Sequence, residues 1–196
     1  RRIVTFGIGQ GDVRAENMVA ENGCFSFDIV HANGLIPIRL KVPGRHNVLN
    51  ALAAAAACLS AGIDGVSIAR GIESFGGALR RFEYKGEYNG AKIYDDYAHH
   101  PSEIKALLDA VEGMGFERII AVFQPHTYSR TRELYADFVE QLKRPSLAVL
   151  LPIFAAREVD DGTVSSRMLA SSSGCEAADS FEEAAERVRG ELREGD

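Results

Sequence analysis

From residue 101 onward the chain repeats one pattern, an amphipathic helical stretch followed by a short run apolar at every position. Ile104, Leu107, Leu108 and Val111 fall at i, i+3, i+4 and i+7 within a helix expected over 101–112. Ile119–Phe123 is then apolar without interruption, inside a strand expected over 118–123. A helix over about 130–143, an apolar strand at Leu147–Leu151 and a helix over 180–192 continue the alternation, the last opened by the capping box Ser180-x-x-Glu183. Strands apolar on both sides must be covered on both faces, and intervening helices supply the crossovers that parallel pairing requires. This pattern constrains the fold most: an α/β unit around a parallel sheet.

The first part of the chain reads differently. Ile3–Phe6, Cys24–Val30 and Leu35–Val42 are expected strands, with Glu21-Asn22-Gly23 and Ala32-Asn33-Gly34 as turns. Asn-Gly is a strong hairpin signal, so a small antiparallel sheet is expected. Gly7-Ile8-Gly9-Gln10-Gly11 has the look of a dinucleotide fingerprint, but Asp12 stands at the third glycine position and no helix follows, so it reads as a turn. Arg45–Ala61 is helical with Gly62 at C′, and Asp64 caps a second helix through about Ser74, with Ile63 and Ile68 placed as a staple. Phe75-Gly76-Gly77-Ala78 is the best hinge candidate, giving expected domains of 1–77 and 78–196. After it, Phe82–Tyr88 and Ala91–Asp95 flank a further Asn-Gly turn.

Composition closes several alternatives. The 196 residues carry a net charge of −6 with no Lys/Arg block, which argues against a nucleic-acid surface. Cys24, Cys58 and Cys175 are scattered, giving neither a disulfide framework nor a zinc site, and fit a reducing cytoplasm. The most apolar run, Ala51–Ala61, is too short to span a bilayer, so no membrane insertion is expected, and no signal peptide is visible. The chain opens within a strand-like run without methionine and stops after a helical pattern, so it reads as part of a longer protein.

Two polar clusters stand at successive strand ends. Asp95-Asp96-Tyr97-Ala98-His99-His100 follows one strand, and Gln124-Pro125-His126-Thr127-Tyr128-Ser129-Arg130 follows the next. Ligands of open α/β sheets bind beyond the carboxyl ends of strands, so neighbouring strands here would bring both clusters to one crevice. Helix-start chemistry around Pro101 is the competing account of the first cluster. Adjacent His99 and His100 diverge, which disfavours a metal site. A third constellation is Asn47 and Asn50, three apart on one helix face, with Leu49, Leu52, Ala56 and Leu59 opposite and Ala51, Ala54, Ala57 and Ala61 continuing the asparagine side. Two carboxamides suit a purine edge, or they cap the helix and satisfy loop backbone. Arg80-Arg81 after the hinge either holds a phosphate or is a solvated linker charge.

Together "VPGRHNVLNALAA", "RRFEYKG", "DDYAHHPSEIKA", "FQPHTYSRTRELY" and the "AARE" at 155–158 resemble the Mur ligases, ATP-dependent amino-acid-adding enzymes of peptidoglycan synthesis. The resemblance is nearest to members that join L-alanine to UDP-N-acetylmuramate. It implies the end of a central ATP-binding domain, with a small sheet and helices, followed by a Rossmann-like, mainly parallel C-terminal domain truncated at its end. The implied reaction forms an acyl phosphate from ATP and the muramoyl carboxylate, and the alanine amine then displaces phosphate.

By the same resemblance, Asn47 and Asn50 contact adenine, Arg81 meets the ATP phosphates and ribose, and Asp96 accepts from ribose hydroxyls. Tyr97, His99, His126 and Arg130 line the amino-acid side, with Arg81, Asp96, His99 and His126 as the catalytic set. Thr127 stands where some members carry arginine. Mg2+ ligands and the phosphate loop are expected mostly upstream, since no G-K-[ST] occurs here, and the chain alone is expected to be inactive. The competing readings are a recycling ligase that adds a preformed tripeptide, and a noncatalytic nucleotide-binding or interaction module.

Overall fold

The computed structural model describes residues 3–196. The chain divides into two compact units: one runs through Ala78 and includes Asp109–Gly115, and the other comprises Leu79–Leu108 and Phe116–Asp196.

The first unit holds a four-stranded sheet in sequence order, β1 (Phe6–Ile8), β2 (Val13–Glu21), β3 (Cys24–His31) and β4 (Gly34–Arg39). β2, β3 and β4 pair antiparallel, as expected, but β1 lies parallel to β2. The short return between them depends on Gly11, whose φ is +99° and where a Cβ would meet the Phe6 backbone at 3.0–3.1 Å. That turn is completed by Asp12, which accepts from both the amide and the hydroxyl of Thr5 at 2.8 Å. β2 was not expected from the pattern. Its charged residues and a register shift between Glu16 and Val19, with Asn17 at φ 53°, hide the alternation. The β2–β3 hairpin turns on Asn22 and Gly23 at φ 49° and 77°, the double positive φ that Asn-Gly tolerates.

Two helices cover this sheet, α1 (Arg45–Ser60) and α2 (Gly65–Ser74). α1 ends in a Schellman arrangement, with Gly62 N–H donating to Leu59 O and Ile63 N–H to Cys58 O at 3.0–3.1 Å. Asp64 caps α2 by accepting from Ser67 N–H at 2.9 Å. The core joins alternate sheet positions (Phe27 and Ile29, Ile36 and Ile38) to Val48, Leu52, Ala55 and Ile68 from the helices. Leu49, placed opposite the asparagines, is 41% exposed, because the helix turns Val48, Ala51, Leu52 and Ala55 inward.

In the second unit, β5 (Glu83–Tyr88) and β6 (Ala91–Asp95) form a hairpin about Asn89-Gly90. A separate three-stranded parallel sheet follows, in the order β7 (Ile120–Phe123), β8 (Leu147–Leu150) and β9 (Glu176–Ala177). Around it lie α3 (Pro101–Glu112), α4 (Tyr128–Glu133), α5 (Tyr135–Leu142), α6 (Ser166–Ser173) and α7 (Phe181–Arg189). The helix expected over 130–143 is thus two helices, broken at Leu134 with φ −108° and ψ 22°. α6 and β9 escaped the pattern, the first because serine-rich sequence favours caps and turns. A tertiary bond helps hold it, Ser166 Oγ donating to Leu151 O, while Ser173 Oγ turns back to Leu169 O within the helix.

Both faces of β8 are buried, as its apolar run required. Leu150 packs with Phe138, Leu142 and Leu169, while Val149 and Leu151 pack with Ala178 and Ala184. No helix among the described residues is long and apolar enough to cross a membrane.

Candidate functional site

The link from β6 to α3 answers to two separate demands. Asp96 accepts from Ala98 N–H through one oxygen and from Phe82 N–H through the other, each at 2.8 Å. Tyr97 N–H donates to Arg80 O at 2.8 Å, so the Arg80–Phe82 segment is laid against the strand end. Arg80 and Phe82 both sit at positive φ, 57° and 49°, conformations that non-glycine residues hold only when their surroundings fix them. The Arg80 guanidinium lies 4.8 Å and that of Arg81 5.9 Å from the Tyr97 ring centre. Arg81 Nη1 is 3.9 Å from Glu103 Oε1. Each Asp96 oxygen retains one acceptor direction beyond its amide bond.

The second demand is the start of α3. His100 Nδ1 accepts from Ser102 N–H at 3.2 Å, and Glu103 Oε2 accepts from the amides of His99 and His100 at 2.9 and 3.2 Å. Burial pushes the Glu103 carboxyl up, but those amides, the Arg81 charge and His99 whenever it is protonated together hold it below the ordinary glutamate value. His100 is therefore spent on the helix start. His99 is not: its Nδ1 lies 2.9 Å from Tyr97 O, and a carbonyl only accepts, so Nδ1 carries the proton and Nε2 of the neutral ring has the lone pair.

β7 ends on the second cluster. β6 and β7 belong to different sheets, so the expected strand adjacency does not occur. The clusters nevertheless meet. Ring centres run Tyr97 to His99 at 5.2 Å, His99 to His126 at 5.9 Å and His126 to Phe154 at 5.4 Å. Arg130 Nη1 is 3.3 Å from His126 Nδ1. Arginine only donates, so that nitrogen accepts and His126 presents Nε2–H.

Beyond the strands, the loops after β7 and β8 stay zipped together. Phe154 N–H donates to Pro125 O and Thr127 N–H to Phe154 O at 2.8–2.9 Å, around a bridge between His126 and Phe154. Thr127 is the N-cap of α4 and sits at φ 68°, ψ 144°, a genuine outlier for a β-branched residue. Buried Thr131 holds it from behind, donating its hydroxyl to Thr127 O at 2.7 Å. Glu158 accepts from Ser129 N–H at 2.8 Å and from the Ser129 hydroxyl. The Ser129 hydroxyl and amide keep the Glu158 carboxyl below its ordinary value.

In the first unit, Asn47 Nδ2 donates to Pro43 O at 2.7 Å and Asn50 Nδ2 to Asn47 Oδ1 at 3.1 Å. Asn47 thus satisfies loop backbone, one of the two roles open to it, and orients exposed Asn50, whose Oδ1 remains for an outside donor. Among the described residues no three His, Cys, Asp or Glu side chains gather as a metal centre.

The family model described as "Mur ligase, glutamate ligase domain" matches residues 80–196, and the "Mur ligase middle domain" matches 1–58. The chain belongs to the Mur ligase family. It is 46% identical over 200 residues to the UDP-N-acetylmuramate–L-alanine ligase of Clostridium novyi, covering 99% of this chain and 44% of that protein. The crystal structure of UDP-N-acetylmuramate–alanine ligase from Thermotoga maritima matches with TM-score 0.75 and 29% identity, over 93% of this chain and 41% of that one. The MurF ligase of Thermotoga maritima in complex with ADP shares the fold at TM-score 0.72 and 16% identity, over 98% and 43% of the two chains. This Mur ligase chain therefore spans less than half the length of these relatives.

Two members of the cluster were not singled out from the Mur ligase motifs. Glu103 was legible as an acid in the third position of a helix, though a histidine N-cap hides the usual capping box. Glu158 closes the "AARE" stretch, and nothing local indicates that it reaches Ser129.

Proposed function

We propose that this chain is the part of an ATP-dependent ligase that handles the nucleotide and the amino acid while L-alanine is joined to UDP-N-acetylmuramate in peptidoglycan synthesis. Residues 1–77 are the end of its central ATP-binding domain and 78–196 its Rossmann-like C-terminal domain, in keeping with where the two family models fall. The setting is cytoplasmic, where such nucleotide-linked precursors are made.

One observation carries the reading. Tyr97, His99, His126 and Arg130, drawn from two strand ends, form one row of polar rings and charge. On it, the Arg130 guanidinium neutralises the alanine carboxylate while the ring nitrogens face the amine. Neutral His99 offers Nε2 to accept the proton the amine loses as it attacks the acyl phosphate, and His126 offers Nε2–H as a donor. In the first unit, Asn50 oriented by Asn47 reads the adenine edge. In the second, Arg81 meets phosphate, and Asp96 accepts from ribose hydroxyls with the directions its amide bonds leave open. ATP supplies the phosphoryl group that turns the muramoyl carboxylate into an acyl phosphate, from which the amine displaces phosphate as the amide forms. The phosphate loop, of which no G-K-[ST] occurs in this chain, and most of the Mg2+ ligands are assigned to the preceding part of the protein. The chain alone is accordingly inactive.

The test is phosphate release by the full-length protein with L-alanine or with a preformed tripeptide as acceptor. Release driven by L-alanine, with Arg130→Ala raising its KM by about tenfold or more, is expected. Release driven only by tripeptide would move the chain to the recycling ligases, and unchanged ligation in Arg130→Ala and His126→Ala would point to a noncatalytic module.

A further inference from the structure

Glu158 stands 29 residues from Ser129, yet its carboxylate takes the backbone amide at 2.8 Å and the hydroxyl of that residue. Ser129 is the second residue of α4, so Glu158 supplies from another loop the cap that Thr127 provides only at 3.5 Å, to Arg130 N–H. The same loop brings Phe154 against His126, and Ala156, at φ 54°, turns the chain back so that Glu158 can reach. His126 precedes the capped turn and Arg130 lies within it, their side chains 3.3 Å apart. The direction in which Arg130 points is therefore fixed at one end by Thr131 holding Thr127 and at the other by Glu158 holding Ser129.

We propose that Glu158 is a positioning residue that sets the His126–Arg130 pair for the amino-acid carboxylate; this rests on the ligase reading above. The carboxylate does not touch substrate. It ties down the first turn of α4, whose free amides and strained cap would otherwise let the guanidinium swing. Its charge is held by the Ser129 bonds and by the amino end of the helix, so it remains an acceptor throughout the neutral range.

The experiment uses the full-length ligase with Glu158→Ala, Glu158→Gln, Ser129→Ala and Arg130→Ala. Glu158→Ala is expected to raise KM for L-alanine by about tenfold while KM for ATP stays within about twofold. Glu158→Gln, which keeps one acceptor oxygen, recovers most of that loss, and Ser129→Ala, which keeps the amide donor, lies between. A purely structural role would move both KM values together, or lower the amount of folded enzyme without changing either. If Arg130→Ala raises KM for L-alanine but Glu158→Ala and Glu158→Gln do not, the positioning role is overturned and the ligase reading stands. If Arg130→Ala leaves it unchanged, the carboxylate clamp itself is wrong and both fall. Should Glu158→Ala fail to fold, Glu158→Gln and Ser129→Ala decide on the same readout.

Discussion

Replacing Thr127 by glycine should make this protein more stable, although it removes a helix cap. At φ 68° and ψ 144° a threonine is held in a region that glycine alone enters freely, at a strain of about 1–3 kcal/mol. Against that relief stand two smaller losses. The hydroxyl accepts from Arg130 N–H at 3.5 Å, a long bond, and a glycine at an N-cap costs only about a few tenths of a kcal/mol. The greater freedom of glycine in the unfolded chain costs roughly 0.5–1 kcal/mol. The balance is a stabilisation of about 0.5–1 kcal/mol, or roughly 1–4 °C in Tm for a chain of this size. Thr127→Val is the control: it keeps the branched Cβ and the strain but loses the hydroxyl, so it should be less stable than the parent by about 0.5–1 kcal/mol. Urea unfolding followed by far-ultraviolet circular dichroism at neutral pH compares the three proteins. A glycine variant less stable than the parent by about 1 kcal/mol or more would refute the strain argument, since the two losses reach a net cost of that size only if no strain is relieved. In the full-length enzyme the same variant should bind L-alanine more weakly, because relaxing Thr127 frees the turn that carries Arg130.

Phe138, fully buried between β8 and the helices, should cost about 3–5 kcal/mol when changed to alanine, measured by the same urea titration. Gly11→Ala combines a φ of +99° with a Cβ 3.0 Å from the Phe6 backbone, so it should open the β1–β2 pairing and raise amide exchange at Val13 and Ala15. The Glu103 carboxyl is held below its ordinary value of 4.5, so its contribution is present above that pH and lost as pH falls through the lower folded value. Glu103→Gln should therefore flatten the acid side of the stability profile, at and below the ordinary glutamate value of 4.5, and an unchanged slope would remove the capping role. Asp161, pulled down to about 2 by the Thr163 hydroxyl and amide and by Arg132, ties an exposed loop to α4. Asp161→Asn should speed amide exchange at Thr163 while leaving the urea midpoint where it was.

Much of this architecture was readable because it is local. Asn22-Gly23 and Asn89-Gly90 fall in the left-handed region that their turns demand, Gly62 closes α1, and Asp64 and Ser180 cap the helices they precede. Such features depend on a handful of neighbouring atoms, so the sequence states them directly. The unread pieces have the opposite character. β2 is masked by a bulge, α6 by a serine-rich sequence in which Ser166 bonds across the fold to Leu151 O, and the split of α4 from α5 by a backbone change at Leu134.

The candidate site divides along the same line. The sequence by itself determined that two polar clusters follow two strands, that α3 begins at Pro101, and that apolar β8 must be covered on both faces. Only the tertiary structure decided that strands in different sheets still bring His99 within 5.9 Å of His126, that His100 is consumed by a helix start while His99 joins the row of rings, and that Glu158 crosses to Ser129. The reason is one of range. Helix caps, turns and hydrophobic period are set within a few residues, whereas the meeting of side chains 27 or 29 positions apart depends on how whole sheets and loops pack.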